Sequence, residues 1–402
     1  MAEALSLLLQ NACTRGSLLE FKVNRQAPGI SHLLFADDCL LFFKGSIEQA
    51  LAIKNIIATY EKGTGQLLSP DKCSILFGNN CSMEVQVAVM VILCITSEGF
   101  EDKYLGLPVP QGRMKAGKFQ STKEKALKIL SDWIEKYASC GAKETLIKSV
   151  LQALPVYAMG IFKFPASLCE ELSQIIRNFW WGDEENRRKT HWLAWDKMTK
   201  PKGVGGMGFR DLRLFNQALL AKQAWRLVVN PESLCAKVIK AKYYPQGHIL
   251  DTVFPQSASL TWQGILHGLD LLKSGVIWRV CDGTNINIWR DNWLPRSSGL
   301  KITARKNRTR VKWVSDLMLS GPRRWDGNLV RHMFYPYDAE EILRLRMQSN
   351  GEGDFVAWHF EKNGLFSVKS AYKLALMLKE QKEDEGQYND ETLRERKIWD
   401  II

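Results

Sequence analysis

Between residues 27 and 65 the apolar period of the chain changes abruptly, and few folds satisfy that change. Two short apolar runs, Ile30 to Phe35 and Cys39 to Phe43, flank a tight turn that carries Asp37 and Asp38. Runs of this length around a polar turn read as a β-hairpin. Ser46-Ile47-Glu48-Gln49 then has the form of a helix-capping box, and Ala50, Ile53, Ile57 and Tyr60 recur at helical spacing until Gly63 and Gly65 stop the run. The predicted unit is strand, turn, strand and helix, with buried strands and two adjacent carboxylates at the tip. Two like charges in a buried frame repel each other, and a divalent cation relieves the repulsion while serving phosphoryl transfer. An Asp-Asp pair in an exposed turn needs no such partner. On the dipeptide alone both readings stand.

Further along, Cys73 to Phe77 reads as a strand, Glu84 to Leu93 as helical or extended, and Lys103 to Pro108 as another short strand. The N-terminal hundred residues are therefore expected to be α+β. From Gly117 the pattern becomes helical: Phe119, Ala126, Ile129, Leu130 and Trp133 fit one face of a Lys-rich amphipathic helix. Helices are also predicted over Lys143 to Ile161, Leu168 to Trp181 and Leu212 to Val229. Pro201 to Gly208 is Gly-rich but follows no strand and lacks a Lys-Ser/Thr ending, so it reads as a linker or turn and not as a phosphate loop. Ile286 and Ile288 beside Asp282-Gly283-Thr284-Asn285 suggest a hairpin. The polar stretch 379–397 is expected to be loose.

Apolar residues make up 46% of the 402, and charged ones 24%, a globular balance that excludes wholesale disorder. The longest apolar stretch, Val85 to Thr96, falls far short of the roughly 18 to 20 residues that span a bilayer. No basic start or cleavage site of a secretory signal is visible after Met1, so an intracellular location, nuclear or cytoplasmic, is expected. The nine cysteines are scattered without a C-x-x-C pair, which argues against a disulfide-linked partner or a structural zinc site. The net charge of +12 is concentrated: Lys103 to Lys202 holds 18 basic and 10 acidic residues, and Lys301 to Arg324 holds 8 and 1. Clustered cations attract polyanions, of which nucleic acid is the commonest, although a basic face can also serve solubility alone. Trp180, Trp181, Trp192, Trp195 and Trp225 sit in apolar helical contexts and are expected in the core. Trp313, in the second basic run, is the candidate for contact with nucleic acid.

The stretch Ile30 to Asp38, I-S-H-L-L-F-A-D-D, resembles the palm-domain F-A-D-D box of reverse transcriptases, specifically those of plant LINE-type (non-LTR) retrotransposons. In that family a helix, a G-Q-x-(I/L)-N-x-x-K-S segment and a K-Y-L-G-L-P segment follow. Here Gly65 to Cys73 and Lys103 to Pro108 stand in that order. Further similar stretches are Gly141 to Val150, F-W-W-G at Phe179 to Gly182, His191-Trp192, Gly205 to Leu212 and Phe215 to Arg226. Together they extend over nearly the whole chain.

The resemblance implies an α+β fold: a partial polymerase palm over 1–110, a helical thumb over 111–200, a helical connection region with short hairpins over 201–360, and the start of a zinc-binding-like region with a charged tail over 361–402. It implies an RNA-directed DNA polymerase working on an RNA template and DNA primer with magnesium. Asp37 is then the metal ligand and Asp38 its supporting carboxylate. Lys72 faces the incoming triphosphate; Tyr104, Leu105 and Gly106 form the primer grip; Lys118, Lys125, Lys128, Lys143 and Lys148 line the thumb. The sequence departs from the family where Ser69 replaces the pattern Asn and Cys73 the Ser after Lys. The family's further catalytic Asp and its fingers precede the region that matches, and the zinc-binding and ribonuclease H regions follow it. Catalytic incompleteness is therefore expected, and a non-catalytic nucleic-acid-binding remnant or an inert pseudogene product is the alternative.

Overall fold

The computed structural model describes residues 2–99, 103–109, 119–132, 139–182, 189–252, 259–296, 299–303, 310–319, 324–346 and 353–399. The protein is α+β, with helices and, among the described residues, four two-stranded sheets. It divides into two compact units, Met1–Gly112 with Asn230–Phe254, and Arg113–Val229 with Pro255–Ile402.

The first unit opens with α1 (Ala2–Thr14), followed by the strands β1 (His32–Phe35) and β2 (Asp38–Leu41) and by α2 (Ile47–Thr64). β1 and β2 pair antiparallel from His32 opposite Leu41 to Phe35 opposite Asp38, which leaves Ala36 and Asp37 as a two-residue loop. The predicted hairpin is present, but its strands are not buried throughout. Leu41 packs with the core of Leu9, Ala12, Leu18 and Ile53, whereas Leu33 and Phe35 remain 40% and 61% exposed. A two-stranded sheet packed from one side leaves its other side open, and successive residues alternate between the two.

His32 joins strand to helix, because its ring nitrogens lie 2.8 Å from the Ser6 hydroxyl and 2.9 Å from that of Ser31. Helix α2 begins at Ser46, whose hydroxyl accepts from the Gln49 amide, and ends at Gly65 in the left-handed region. Only half of the predicted capping box forms. The buried Gln49 side chain accepts instead from the Leu19 and Lys44 amides, tying two loops to the first turn of α2. After it come β3 (Ser74–Ile75), α3 (Met83–Leu93), β4 (Ser97–Glu98), β5 (Lys103–Tyr104) and β6 (Leu107–Pro108), with β3 parallel to β4 and β5 antiparallel to β6.

The second unit is mostly helical. It begins with α4 (Gln120–Asp132), α5 (Cys140–Leu146), a π-helical turn over Ile147–Leu151, α6 (Val156–Met159), α7 (Ala166–Trp181), α8 (Trp195–Thr199) and α9 (Leu212–Val229). α10 (Leu234–Tyr243) belongs to the first unit. The second resumes with α11 (Leu260–Gly275), β7 (Val276–Arg279), α12 (Gly327–Met333), α13 (Pro336–Arg344), β8 (Phe355–Trp358) and α14 (Val368–Trp399).

α9 is the central helix of this unit, packed by α7, α11 and α14. Its polar residues act as staples. Buried Asn216 accepts from the Phe164 amide and donates to the Met159 and Phe162 carbonyls at 2.7 and 2.9 Å, and Gln223 donates to the Gly160 carbonyl. α11 approaches α9 at glycines: a Cβ placed on Gly268 would lie 2.2 Å from the Leu220 carbonyl carbon.

Two sequence expectations are corrected here. Asp282-Gly283-Thr284-Asn285 is not the tip of a local hairpin, since β7 pairs with the distant β8, Val276 opposite Trp358. The Asp354 carboxylate holds the turn by accepting from the backbone amides of Cys281, Asp282, Gly283 and Asn285 at 2.8 to 3.2 Å. Gathering the four donors of a tight loop on one carboxylate does the work that a neighbouring strand would do in a hairpin. In addition, the polar stretch 379–397 continues α14, because its Glu, Lys, Arg and Gln residues are good helix formers.

Beyond the turn, Trp293, Phe334, Val314 and Leu317 build a separate core with Ile286 and Ile288. At its edge the fully buried Asp338 carboxylate meets the Arg296 guanidinium at 2.6 Å, and both also bond Thr303.

Candidate functional site

Asp37 stands in the loop of the β1–β2 hairpin and Asp38 opens β2, and both are exposed. Ala36 reaches this tight loop only by adopting φ 52°, a left-handed conformation that costs a non-glycine residue roughly 1–2 kcal/mol. The second hairpin also has a non-glycine residue at positive φ in its loop. Leu105 and Gly106 form the loop between β5 and β6 with φ 51° and 76°, the positive pair that closes a two-residue type I′ turn. Of three non-glycine residues with positive φ among the described residues, two therefore sit at these two hairpin loops, where strain is often stored at functional positions.

Burial first, and then the charges of Asp38 and Cys39, push the Tyr104 phenol above its ordinary range, so the Tyr104 ring lies within electrostatic reach of the carboxylate that opens β2. Lys72 ends a short 3-10 turn over Pro70–Lys72 and is exposed; the structure gives it no contact with Asp37 or Asp38.

Could this arrangement hold a catalytic metal? Mg²⁺ prefers six oxygen ligands, and in-line transfer between two ions needs carboxylates from more than one strand. Asp37 and Asp38 are consecutive, and among the described residues no group of three or more His, Cys, Asp or Glu comes together. The donor set among the described residues does not fit a two-metal centre.

In the second unit the amphipathic reading of α4 is met in part. Ala126 and Leu130 are buried, while Lys125 and Lys128 are exposed. Lys118 and Trp133 lie outside the described residues. Lys143 and Lys148 are not presented to solvent in the way Lys125 and Lys128 are. The Lys143 ammonium donates to the Phe179 carbonyl at 3.0 Å and lies over the Phe179 ring, while Lys148 pairs with Glu144 at 2.6 Å. Lys148 and Lys202 together hold the Glu144 carboxyl below its usual range. These two lysines serve the fold first: one answers the carbonyl end of α7, the other a carboxylate on its own helix.

Trp313 is half-buried. Its amide donates to Asp316, its backbone bridges Asn287, and Lys312 lies 4.9 Å from its ring centroid. Trp180, Trp181, Trp195 and Trp225 are half-buried rather than fully buried, whereas Trp192, expected in the core with them, is 82% exposed. Nothing in the local apolar pattern distinguishes it.

No disulfide joins any of the nine cysteines, and no helix among the described residues is long and apolar enough to cross a membrane. Fold and site together define an α+β protein with two tight hairpins, one of which bears a carboxylate pair, and a basic helical unit. No family model matches the chain. Over 280 residues it is 33% identical to a putative ribonuclease H protein of Arabidopsis thaliana, an alignment that covers 67% of this chain and 44% of that protein. The chain thus spans less than half the length of that relative. Over 143 residues it is 41% identical to an uncharacterized mitochondrial protein of the same plant, covering 35% of this chain and 93% of the other. The chain belongs to the family of this second plant protein.

Proposed function

We propose that the chain derives from the reverse transcriptase of a plant LINE-type retrotransposon and contributes the aspartate-pair hairpin of the palm together with a basic helical unit that holds RNA template and DNA primer. The observation that supports the reading is a pair of hairpins far apart in sequence, each with a non-glycine residue at positive φ in its two-residue loop. The loop of one bears Asp37, its second strand opens with Asp38, and Tyr104 of the other lies within reach of Asp38. Both match segments of the same family in the same order. On this reading Asp37 and Asp38 keep the place of the family's metal-binding pair without completing a two-metal centre among the described residues, Lys72 is a nucleotide contact, and Tyr104 to Gly106 a primer grip. The domain sequence of palm over 1–110, thumb over 111–200, connection over 201–360 and zinc-binding-like start from 361 belongs to the same proposal.

The chain by itself is not expected to extend a primer, because the carboxylates needed for two-metal transfer are not gathered among the described residues. What it retains is non-specific affinity for nucleic acid through the exposed cations of α4.

Two measurements test the proposal. Primer extension with purified chain, template, primer and magnesium should give no product, and product abolished by Asp37→Ala would overturn the catalytic half. Binding to a primer–template duplex should fall with salt at a log–log slope of about 0.9 per neutralised phosphate. Charge reversal of Lys118, Lys125 and Lys128 to Glu should weaken binding and flatten that slope. Undetectable binding at about 50 mM salt, where such contacts are strong, would remove the nucleic-acid reading altogether.

A further inference from the structure

We infer that Trp192 is a stacking platform for single-stranded nucleic acid, with the surrounding cations receiving the backbone phosphates. The inference rests on the proposed nucleic-acid function but uses a different surface from the lysines of α4.

A single exposed aromatic is unremarkable on its own, since folded proteins leave many apolar side chains in water. Three features set this one apart. The first is contrast: Trp192 is 82% exposed, whereas Trp181 and Trp195, close to it in the same segment of the unit, are half-buried.

The second is the anchoring of its backbone. Residue 191 is fixed because the His191 ring stacks on Trp181, with centroids 5.7 Å apart and planes 17° apart. Residue 195 is fixed because the Trp195 ring stacks on Phe209 at 5.7 Å and 22°, with the Arg177 guanidinium 5.9 Å from its centroid. Between these anchors the chain has no regular secondary structure, yet both ends are held, so the indole is presented on a fixed base. A backbone held in place before binding loses little conformational entropy when a base stacks on the ring it carries.

The third is charge. From Arg187 to Lys202 the sequence carries six Lys or Arg and one Asp. Lys200 and Lys202 are paired with Glu380 at 3.4 Å and Glu144 at 2.7 Å, and Lys189 and Lys197, on either side of Trp192 in the sequence, are exposed. The Lys189 and Lys143 ammonium groups also meet at the C-terminal end of α7, where a Cβ on Gly182 would lie 3.1 Å from the first and 3.4 Å from the second. Two full positive charges there outweigh the helix end, which amounts to about half a negative charge. An indole among cations matches a base joined to a phosphate. A duplex hides its base faces within the stack, so the matching ligand is a single strand.

The test uses the full chain, a short labelled oligouridylate, and a duplex probe of equal length. Trp192→Ala should weaken oligouridylate binding by about 5- to 150-fold, the range of one lost base–aromatic stack, with duplex binding and the salt slope unchanged. Trp192→Phe should retain most of the affinity, since a smaller aromatic face still stacks. Lys189→Glu should weaken binding and lower the salt slope together. Thermal unfolding of Trp192→Ala should match the parent, because the ring packs little.

If the parent binds duplex and Trp192→Ala binds the single strand as tightly as the parent does, this inference falls while the proposed function stands. If Trp192→Phe loses as much as Trp192→Ala, stacking is wrong. If sedimentation shows instead that Trp192→Ala dissolves a self-associated species, the ring is a protein contact and the inference is likewise overturned. A parent that binds neither probe overturns both readings.

Discussion

Replacing Gly268 by Ala sets two physical effects against each other in one residue. Gly268 lies within α11, and helix propensity alone favours Ala there by about 1 kcal/mol. The tertiary structure opposes it. A Cβ at 268 would lie 2.2 Å from the Leu220 carbonyl carbon, 2.3 Å from the Ala221 nitrogen and 2.5 Å from the Leu220 oxygen. All three are backbone atoms of α9 and none can rotate away. Carbon contacts are comfortable at about 3.5–4.0 Å, so α11 must retreat from α9 by more than about 1 Å along this contact. That retreat loosens Leu220, Ala221, Ala224 and Leu272, each fully buried. Overpacking of this kind costs typically about 1–3 kcal/mol and more where backbone meets backbone. Set against the propensity gain, a net loss of about 2 kcal/mol or more is expected.

Gly141, in the first turn of α5 of the same unit, is the control: the nearest atom to its added Cβ is the Ser139 hydroxyl at 4.0 Å. Gly141→Ala should be neutral or stabilising by up to about 1 kcal/mol. All 14 tryptophans belong to the second unit, so urea unfolding followed by Trp fluorescence reads that unit selectively. Gly268→Ala should lower the midpoint without changing the slope. A Gly268→Ala protein as stable as the parent, beside a normal Gly141→Ala, would refute the close α9–α11 crossing.

Two further outcomes are expected. Burial, and secondarily Lys163, lower the His267 pKa to about 4 against an opposing effect of Asp270, so the unfolded chain takes up a proton near pH 6.5 while the folded one does not. Stability should accordingly fall as pH drops from 6.5 towards 4, by about 2 kcal/mol once partial solvent screening is allowed for. Burial lowers His32 and His359 in the same sense, and His267→Gln should flatten the pH dependence of the urea midpoint. Asp338→Ala should cost about 3–5 kcal/mol, because it strands the Arg296 guanidinium, itself 8% exposed, without its partner. Pairing Asp338→Leu with Arg296→Met should recover most of that loss, and a loss below about 1 kcal/mol for Asp338→Ala would show the pair to be solvated.

Local chemistry settled much of this protein. The loop with Asp37, the limits of α2 at Ser46 and Gly65, and the division of α4 into buried Ala126 and exposed Lys125 and Lys128 were all legible, because period, capping and turn residues act over a few positions. What local pattern cannot supply is the partner. Ile286 and Ile288 alternate like a hairpin strand, yet β7 pairs with β8, and Asp354 from far along the chain holds the intervening turn. Lys143 and Lys148 have the composition of a phosphate-binding helix but are engaged by a carbonyl and a carboxylate on their own unit. His191 and Trp192 are neighbours in one segment, both exposed, and only the tertiary structure decides that the first ring stacks on Trp181 while the second stays in water. Side-chain spacing defines which residues share a face. The closing of long loops, whose entropic cost grows only slowly with length, decides what that face meets.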